Sequence, residues 1–204
     1  MLPVITIARQ HGSGGRSVGI MLSEKLGIKH FDKKLIAIAA KKSGFSEEVF
    51  KQADEKACNS LLYSMVMGNY PFSRYGTAPE MPINDKLFIM QTNIIREAAE
   101  EGPCVVIGRC GDYILREHPN VLNIFIHADK EDRVKRLVDR GDISREKAPD
   151  YISKVDKQRA NYYNFYTNKD WGHFANYDLV LNSSTFSTEQ CAEIVINAIN
   201  AKYN

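Results

Sequence analysis

The sequence predicts an α/β domain, a mainly parallel β-sheet with helices on both faces. Two observations carry that prediction. Apolar runs of strand length alternate with helix-period patterns along the chain. The first run then breaks into the glycine-rich turn Arg9-Gln10-His11-Gly12-Ser13-Gly14-Gly15-Arg16-Ser17 before an amphipathic helix begins. Strands that alternate with helices pair in parallel and are covered on both faces. In such sheets ligands bind beyond the carboxyl ends of the strands.

The first strand is the apolar run Pro3 to Ala8, and the helix after the turn carries Val18, Met21, Leu22 and Leu26 on one stripe. Glycines in the turn permit positive φ and let an anion touch the backbone. The helix N-terminus that follows aims its N–H groups at that anion. Gly12, Ser13, Gly14, Gly15, Arg16 and Ser17 therefore read as a phosphate cradle, with Arg16 adding a fixed positive charge. A short strand is expected at Lys29 to Phe31, between Gly27 and Asp32.

From Lys33 to about Met81 the alternation lapses into one helix around Leu35, Ile36, Ile38 and Ala39 and a second around Ser46 to Ala57. A weakly patterned stretch follows through Asn69 to Gly76. Alternation then resumes with a helix over Asp85 to Glu100 and a strand at Cys104 to Ile107, bounded by Gly102-Pro103 and Gly108. The breaker His118-Pro119-Asn120 introduces a strand over Val121 to Ala128, and a helix over Lys130 to Arg140 comes next. Gly141 to Lys147 is a short charged connection into a helix over Arg145 to Tyr163. Asp178 to Leu181 is the last strand, and Thr188 to Ala201 the last helix, with Ser187 and Gln190 spaced as a capping box. The two departures, 33–81 and 141–147, follow strands on the ligand side and read as covering elements.

Composition bounds the possibilities. A chain of 204 residues has room for one domain and a modest insertion. With 44% hydrophobic and 25% charged residues it has the make-up of an ordinary soluble protein. A net charge of +2 gives no reason to expect nucleic acid as a partner. Cys58, Cys104, Cys110 and Cys191 form no C-x-x-C pair, so neither a zinc site nor a disulfide framework is indicated. Reduced thiols in a cytoplasm are the expectation. No stretch has the apolar length of a membrane span, and Met1-Leu2-Pro3 leads straight into strand. The oligomeric state is not legible.

Charge gathers at the predicted strand ends: Arg16 after the first, Asp32 after the second, Gly108-Arg109 after the third. Arg133, Arg136 and Arg140 follow the fourth, spaced i, i+3, i+7 on one helix face, and Asp156, Lys157 and Arg159 sit on the returning helix. Arginines meeting a glycine-rich turn suit phosphoryl transfer, where positioning and charge compensation do most of the work and the planar guanidinium fork binds phosphate oxygens in pairs. Each feature has a plainer alternative. The three arginines read equally as a solvated helix face, Asp32 as a helix cap, and Asp156 with Arg159 as a helix ion pair. Trp171 and the run Tyr162, Tyr163, Phe165, Tyr166 read as packing before base stacking, and His11 as a loop residue.

The chain resembles the cytidylate kinase-like proteins, relatives of bacterial CMP kinases among the P-loop nucleoside monophosphate kinases. The resemblance lies in Ile5-Thr6-Ile7-Ala8-Arg9-Gln10 with Gly12-Ser13-Gly14-Gly15-Arg16, in Ile107-Gly108-Arg109-Cys110, and in Val121 to Ala128 with Arg133. It continues through Asp156-Lys157-Gln158-Arg159-Ala160 with Tyr162-Tyr163, Trp171-Gly172 and Tyr177 to Ser184. It implies a P-loop fold with a five-stranded parallel sheet, an acceptor-binding insertion at about 32–82 and a small lid at about 140–156. The implied reaction joins ATP and CMP or dCMP to give ADP and the diphosphate, with Mg2+ bridging the ATP phosphates. On that resemblance Gly12 to Ser17 hold ATP, Arg16 replaces the usual lysine, and Ser17 meets the metal. Arg109 binds the acceptor phosphate with Arg136 or Arg140, and Arg159 closes onto the transferring group. Asp156 orients the base or an arginine, and Asp32 marks the entry to the insertion.

The chain departs from the pattern in two places. The usual loop reads G-x-x-x-x-G-K-[ST]; with Gly14 as its last glycine, Gly15 stands where lysine belongs. CMP kinases end the strand before Gly-Arg in aspartate, and here the residue is Ile107. Three alternatives stay open: a kinase of another small acceptor, a nucleotide-binding regulator without catalysis, and a dinucleotide-binding domain. The last is weakened by Ser17 at the third glycine position of G-x-G-x-x-G.

Overall fold

In the computed structural model, residues 2–32 and 83–203 are described. The expected acceptor-binding insertion and Cys58 lie outside them, apart from Asp32. Five strands, β1 (Val4–Arg9), β2 (Lys29–Phe31), β3 (Cys104–Ile107), β4 (Val121–His127) and β5 (Leu179–Asn182), form one sheet in the order β2-β3-β1-β4-β5. Every pairing is parallel, with Ile7 opposite Ile107 on one side and opposite Ile124 on the other. The β-branched runs are the reason: a strand covered on both faces needs apolar side chains on both. Cys104, Val105, Val106 and Ile107 are all buried.

Six helices are described: α1 (Gly15–Leu26), α2 (Ile83–Glu100), α3 (Gly111–Ile114), α4 (Lys130–Asp139), α5 (Ala148–Thr167) and α6 (Thr188–Tyr203). On one face of the sheet, Val18 and Leu22 of α1 and Cys191, Val195 and Ile199 of α6 pack with Ile5, Ile7, Val105, Ile107 and Ile124. On the other, Ile95, Ala98 and Ala99 of α2 and Ile114 of α3 pack with Val4, Cys104 and Val106. The alternation along β3, Val105 and Ile107 to one side, Cys104 and Val106 to the other, is the two-residue period of a strand.

The expected elements are all present among the described residues, with shifted ends. α5 begins at Ala148 rather than Arg145, with Pro149 in its first turn, and runs on to Thr167 before Asn168 turns left-handed at φ 54°. The capping box at α6 is formed both ways: the Ser187 N–H donates to Gln190 Oε1 at 2.9 Å, and the Gln190 N–H to Ser187 Oγ at 3.2 Å. The four-residue α3 and a 3-10 turn at Phe174–Asn176 carry no periodic signal that a sequence could show. No described helix is long and apolar enough to cross a membrane.

Candidate functional site

The carboxyl end of β1 leads directly into the glycine-rich turn. Gly12 and Gly14 take φ 78° and 79°, and Gly14 caps α1 in the left-handed region. The turn is tied down from below: the Gln10 N–H donates to Ile126 O at 3.0 Å, and the buried Ser13 hydroxyl to Gln10 O at 2.9 Å. The N–H groups of Gly12, Gly14, Gly15, Arg16 and Ser17 find no acceptor among the described residues. Donors left open at a loop and helix N-terminus form an anion cradle.

The loop is also fixed from the side. Arg136 donates to Gly12 O at 3.3 Å and to Ser183 O at 2.6 Å, while the Ser183 hydroxyl donates to Ser13 O at 2.6 Å. Asp156 accepts the His11 N–H at 2.7 Å and Arg133 Nη1 at 2.5 Å, and the Arg133 and Asp156 side chains are 10% and 16% exposed. The base of α5 is thereby tied to the loop through a buried ion pair.

Beside the loop a cleft of about 170 Å³ opens over the ends of β1 and β3. Arg9, Arg109 and Arg159 line it, with Gln91 from α2 and Tyr162 and Trp171 beyond. Gly108, Arg109 and Cys110 take φ 79°, 60° and 56°, three left-handed residues in succession. Such backbone in non-glycine residues is held only by its surroundings and concentrates at functional sites. Here the Gly108 N–H donates to Ile7 O at 2.9 Å and Gly111 back to Gly108 O at 3.1 Å, which swings Arg109 over the cleft. Arg109 hydrogen-bonds Tyr162, whose hydroxyl is pushed above its usual range, first by burial. Asp112, buried behind the cleft, is raised by desolvation and receives the Tyr163 hydroxyl at 2.6 Å.

Positive charge crowds this end of the sheet. Burial, then Arg159 and Arg109, push Arg9 down to about 9. Burial likewise lowers Arg159, and Arg109 lowers it further. Arg159 donates to Arg9 O at 2.8 Å and reaches His11 Nδ1 at 3.5 Å. Burial and then Arg159 push His11 down to about 4. Arginine remains protonated at neutral pH, so these shifts record first burial and then cations held close together, an arrangement that an incoming anion relieves.

Arg9, Arg109 and Arg159 are brought together at the cleft; the other anticipated arginines stand elsewhere. Arg16 turns to Asp32, with Nη2 and Nε at 2.7 and 2.9 Å from Oδ2, and its side chain is 56% exposed. Asp32 thus meets Arg16 across the opening of α1. Arg136 does not line the cleft; its guanidinium is taken up by the loop and Ser183. Arg140 sits at the end of α4 and pairs with Asp142 at 3.0 Å in solvent. Asp156 bonds Arg133 and the His11 amide, not Arg159. Ser17 is exposed in the first turn of α1. The tyrosines pack: Phe88 stacks on Tyr166 at 4.0 Å, and Tyr166 donates to Asp85 at 2.9 Å. Arg9 is the residue that the sequence reading left without a role; a cation at the end of the first strand, directly before the turn, was the available signal.

Comparison with known proteins supplies an independent line. A family model described as the cytidylate kinase-like family matches residues 4–185. A cytidylate kinase from Archaeoglobus fulgidus is 31% identical over 201 residues, spanning 97% of this chain and 95% of its own. A solved structure of an uncharacterised protein from Eubacterium ventriosum superposes with a TM-score of 0.74 at 26% identity, covering 98% of this chain and 99% of its own. A shikimate kinase from Bacteroides thetaiotaomicron shares the fold, with a TM-score of 0.56 at 12% identity over 98% of this chain and 99% of its own.

Proposed function

We propose that this chain, which belongs to the cytidylate kinase-like family, transfers the terminal phosphoryl group of ATP to a nucleoside monophosphate, CMP or dCMP first among them. Membership makes it a phosphotransferase of the P-loop kinase fold; the donor, the acceptor and the roles below are our reading. The observation that carries it is the pairing of two anion sites at one sheet end: open loop amides, and beside them a cleft lined by Arg9, Arg109 and Arg159.

On this reading Gly12 to Ser17 hold the ATP phosphates through their N–H groups. Arg109 and Arg159 hold the acceptor phosphate, and Arg16, steadied by Asp32, adds charge at the rim. An acceptor phosphate oxygen attacks the γ-phosphorus as the bond to the β–γ bridging oxygen breaks, releasing ADP. The guanidinium groups compensate charge on the oxygens of the transferring group, and α5, tied to the loop through Asp156, keeps Arg159 in register with it. Ser17, in the first turn of α1, would be the protein oxygen nearest a Mg2+ ion bound with ATP, and such an ion would supply screening of the phosphate charge. We take the exposed 140–147 connection and the first turns of α5 as the lid expected at about 140–156; closing it would exclude water as a competing acceptor.

Ile107, fully buried where CMP kinases carry aspartate, favours one further reading, a nucleotide-binding protein with slow transfer. A coupled ADP-release assay with ATP and Mg2+ against CMP, dCMP, UMP, AMP, GMP and no acceptor separates the two. The kinase reading expects turnover that depends on CMP or dCMP. ATP binding with no acceptor-dependent ADP release would refute it.

A further inference from the structure

Arg9 and Gly15 stand in an inverse relation to the ordinary phosphate loop. Five places back from Gly14, Arg9 occupies the position where G-x-x-x-x-G-K-[ST] has its first glycine, and Gly15 the position of its lysine. The two are in contact. A Cβ built on Gly15 would lie 2.6 Å from Arg9 Cβ and 3.0 Å from its Cγ. The Arg9 side chain therefore runs through the space that any side chain at position 15 would take.

From there its guanidinium passes along Gly108, where an added Cβ would collide with it, and reaches the cleft that Arg109 and Arg159 also line. Glycines at 15 and 108 clear its path on both sides. No carboxylate or carbonyl among the described residues accepts a hydrogen bond from this guanidinium. Arg16, the cation that the sequence offers for the lysine's part, is bound to Asp32 with its side chain 56% exposed. Asp32, already paired with Arg16, is the carboxylate that acts on Arg9 from a distance, and a half-buried cation with no hydrogen-bonding partner of its own among the described residues costs stability unless something else needs it.

We propose that Arg9 takes the part of the missing loop lysine, bringing positive charge to the transferring phosphoryl group from the end of β1 instead of the first turn of α1. The inference rests on the kinase reading. It goes further by exchanging the roles of positions 9 and 15: the charge moves to the strand, and the glycine that accommodates it moves to the helix. Arginine reaches farther than lysine and offers two parallel N–H donors, which fits a cation starting one residue behind the loop rather than inside it.

The test is a swap. Arg9→Met, Arg9→Gly, Arg9→Lys, Gly15→Lys and the double variant Arg9→Gly/Gly15→Lys are compared for turnover and for binding of inorganic tripolyphosphate by calorimetry. Loss of one preorganised charge contact to a transferring group costs about 10²–10³-fold in kcat, so Arg9→Met is expected in that range with donor KM changed less than about fivefold. Gly15→Lys alone is expected to be inactive, because its Cβ meets Arg9. The double variant, with lysine in its usual place and the path cleared, is expected to recover at least about tenfold over Arg9→Gly. A role confined to folding would not produce rescue by a second charge at a different position.

Arg9→Met within fivefold of the parent, or a double variant no better than Arg9→Gly in both turnover and tripolyphosphate affinity, would overturn the proposal. The binding arm separates this from failure of the kinase reading. A parent protein silent with every nucleotide acceptor, yet losing tripolyphosphate affinity in Arg9→Met and regaining it in the swap, sinks the reaction and keeps the Arg9 assignment. Full turnover that ignores Arg9 does the reverse.

Discussion

Replacing Asp156 by alanine measures how firmly α5 is tied to the phosphate loop. The carboxylate accepts the His11 N–H at 2.7 Å and Arg133 at 2.5 Å, with the Arg133 and Asp156 side chains 10% and 16% exposed. Removing one member of a buried ion pair costs about 3–5 kcal/mol, because the remaining charge stays desolvated. The charge-assisted bond to the His11 amide, taken alone, is worth about 1.5–3 kcal/mol. Both figures describe the same carboxylate, so the expected loss is about 3–5 kcal/mol rather than their sum. For a domain of this size that lowers Tm by about 6–20 °C. Asp156→Asn, which keeps an acceptor for His11, should fall between alanine and the parent. Asp156→Ala/Arg133→Met removes both charges and should lose less than the two single variants added, with a coupling of at least about 2 kcal/mol. Urea unfolding followed by circular dichroism reads all five proteins, the Arg133→Met single variant included. A loss under about 1 kcal/mol for Asp156→Ala, or strict additivity in the double variant, would show that the pair is solvated and the reasoning wrong.

Arg159→Lys should lower kcat by about 10²-fold while the fold holds, since lysine keeps the charge but not the fork that spans Arg9 O and the cleft; unchanged kcat in a steady-state assay would remove Arg159 from the site. Gly108→Ala places a Cβ against the Arg9 guanidinium at a φ of 79°, so kcat should fall by at least about tenfold in soluble, folded protein; retained activity would mean that the Arg9 path is not the one described. His11, held neutral down to about 4 against an ordinary 6.5, takes up a proton on unfolding that the native state refuses. Its contribution is therefore intact above pH 6.5 and lost as pH falls from 6.5 toward 4. Parent and His11→Gln unfolding curves should diverge across that window and run parallel above it; parallel curves throughout would exclude His11 as the titrating group.

The sheet and its loop could be read from the sequence because their signals are local. Val105, Val106 and Ile107 between glycines are a buried strand in any context, and the run from Gly12 to Ser17 has no other use for so many glycines at the opening of a helix. Ser187 and Gln190 formed the cap that their spacing requires. The arginines were harder. Position after a strand end says that a cation is near the ligand side, but not where four or more rotatable bonds take its head group. Arg136 shares a helix face with Arg133 and still turns to Gly12 and Ser183, because the β5 end lies there. Arg16 was expected at the phosphates and is drawn to Asp32, a partner that only the return of β2 brings alongside. At Arg9 the sequence shows only a charge where a buried strand ends. Its course depends on what Gly15 and Gly108 leave open. The left-handed turn at Arg109 and Cys110 has no sequence signature either, since neither residue favours positive φ.

Direct transfer of phosphate from ATP to a nucleoside monophosphate at this sheet end can be followed by isotope. Incubation of the purified protein with Mg2+, ATP labelled in its γ-phosphate and CMP, followed by separation of nucleotides, tests it most directly. Label is expected in the β-phosphate of CDP, with little in inorganic phosphate, and that product should be lost in Arg109→Ala. Label released only as inorganic phosphate, or retained in ATP whatever the monophosphate offered, would contradict it.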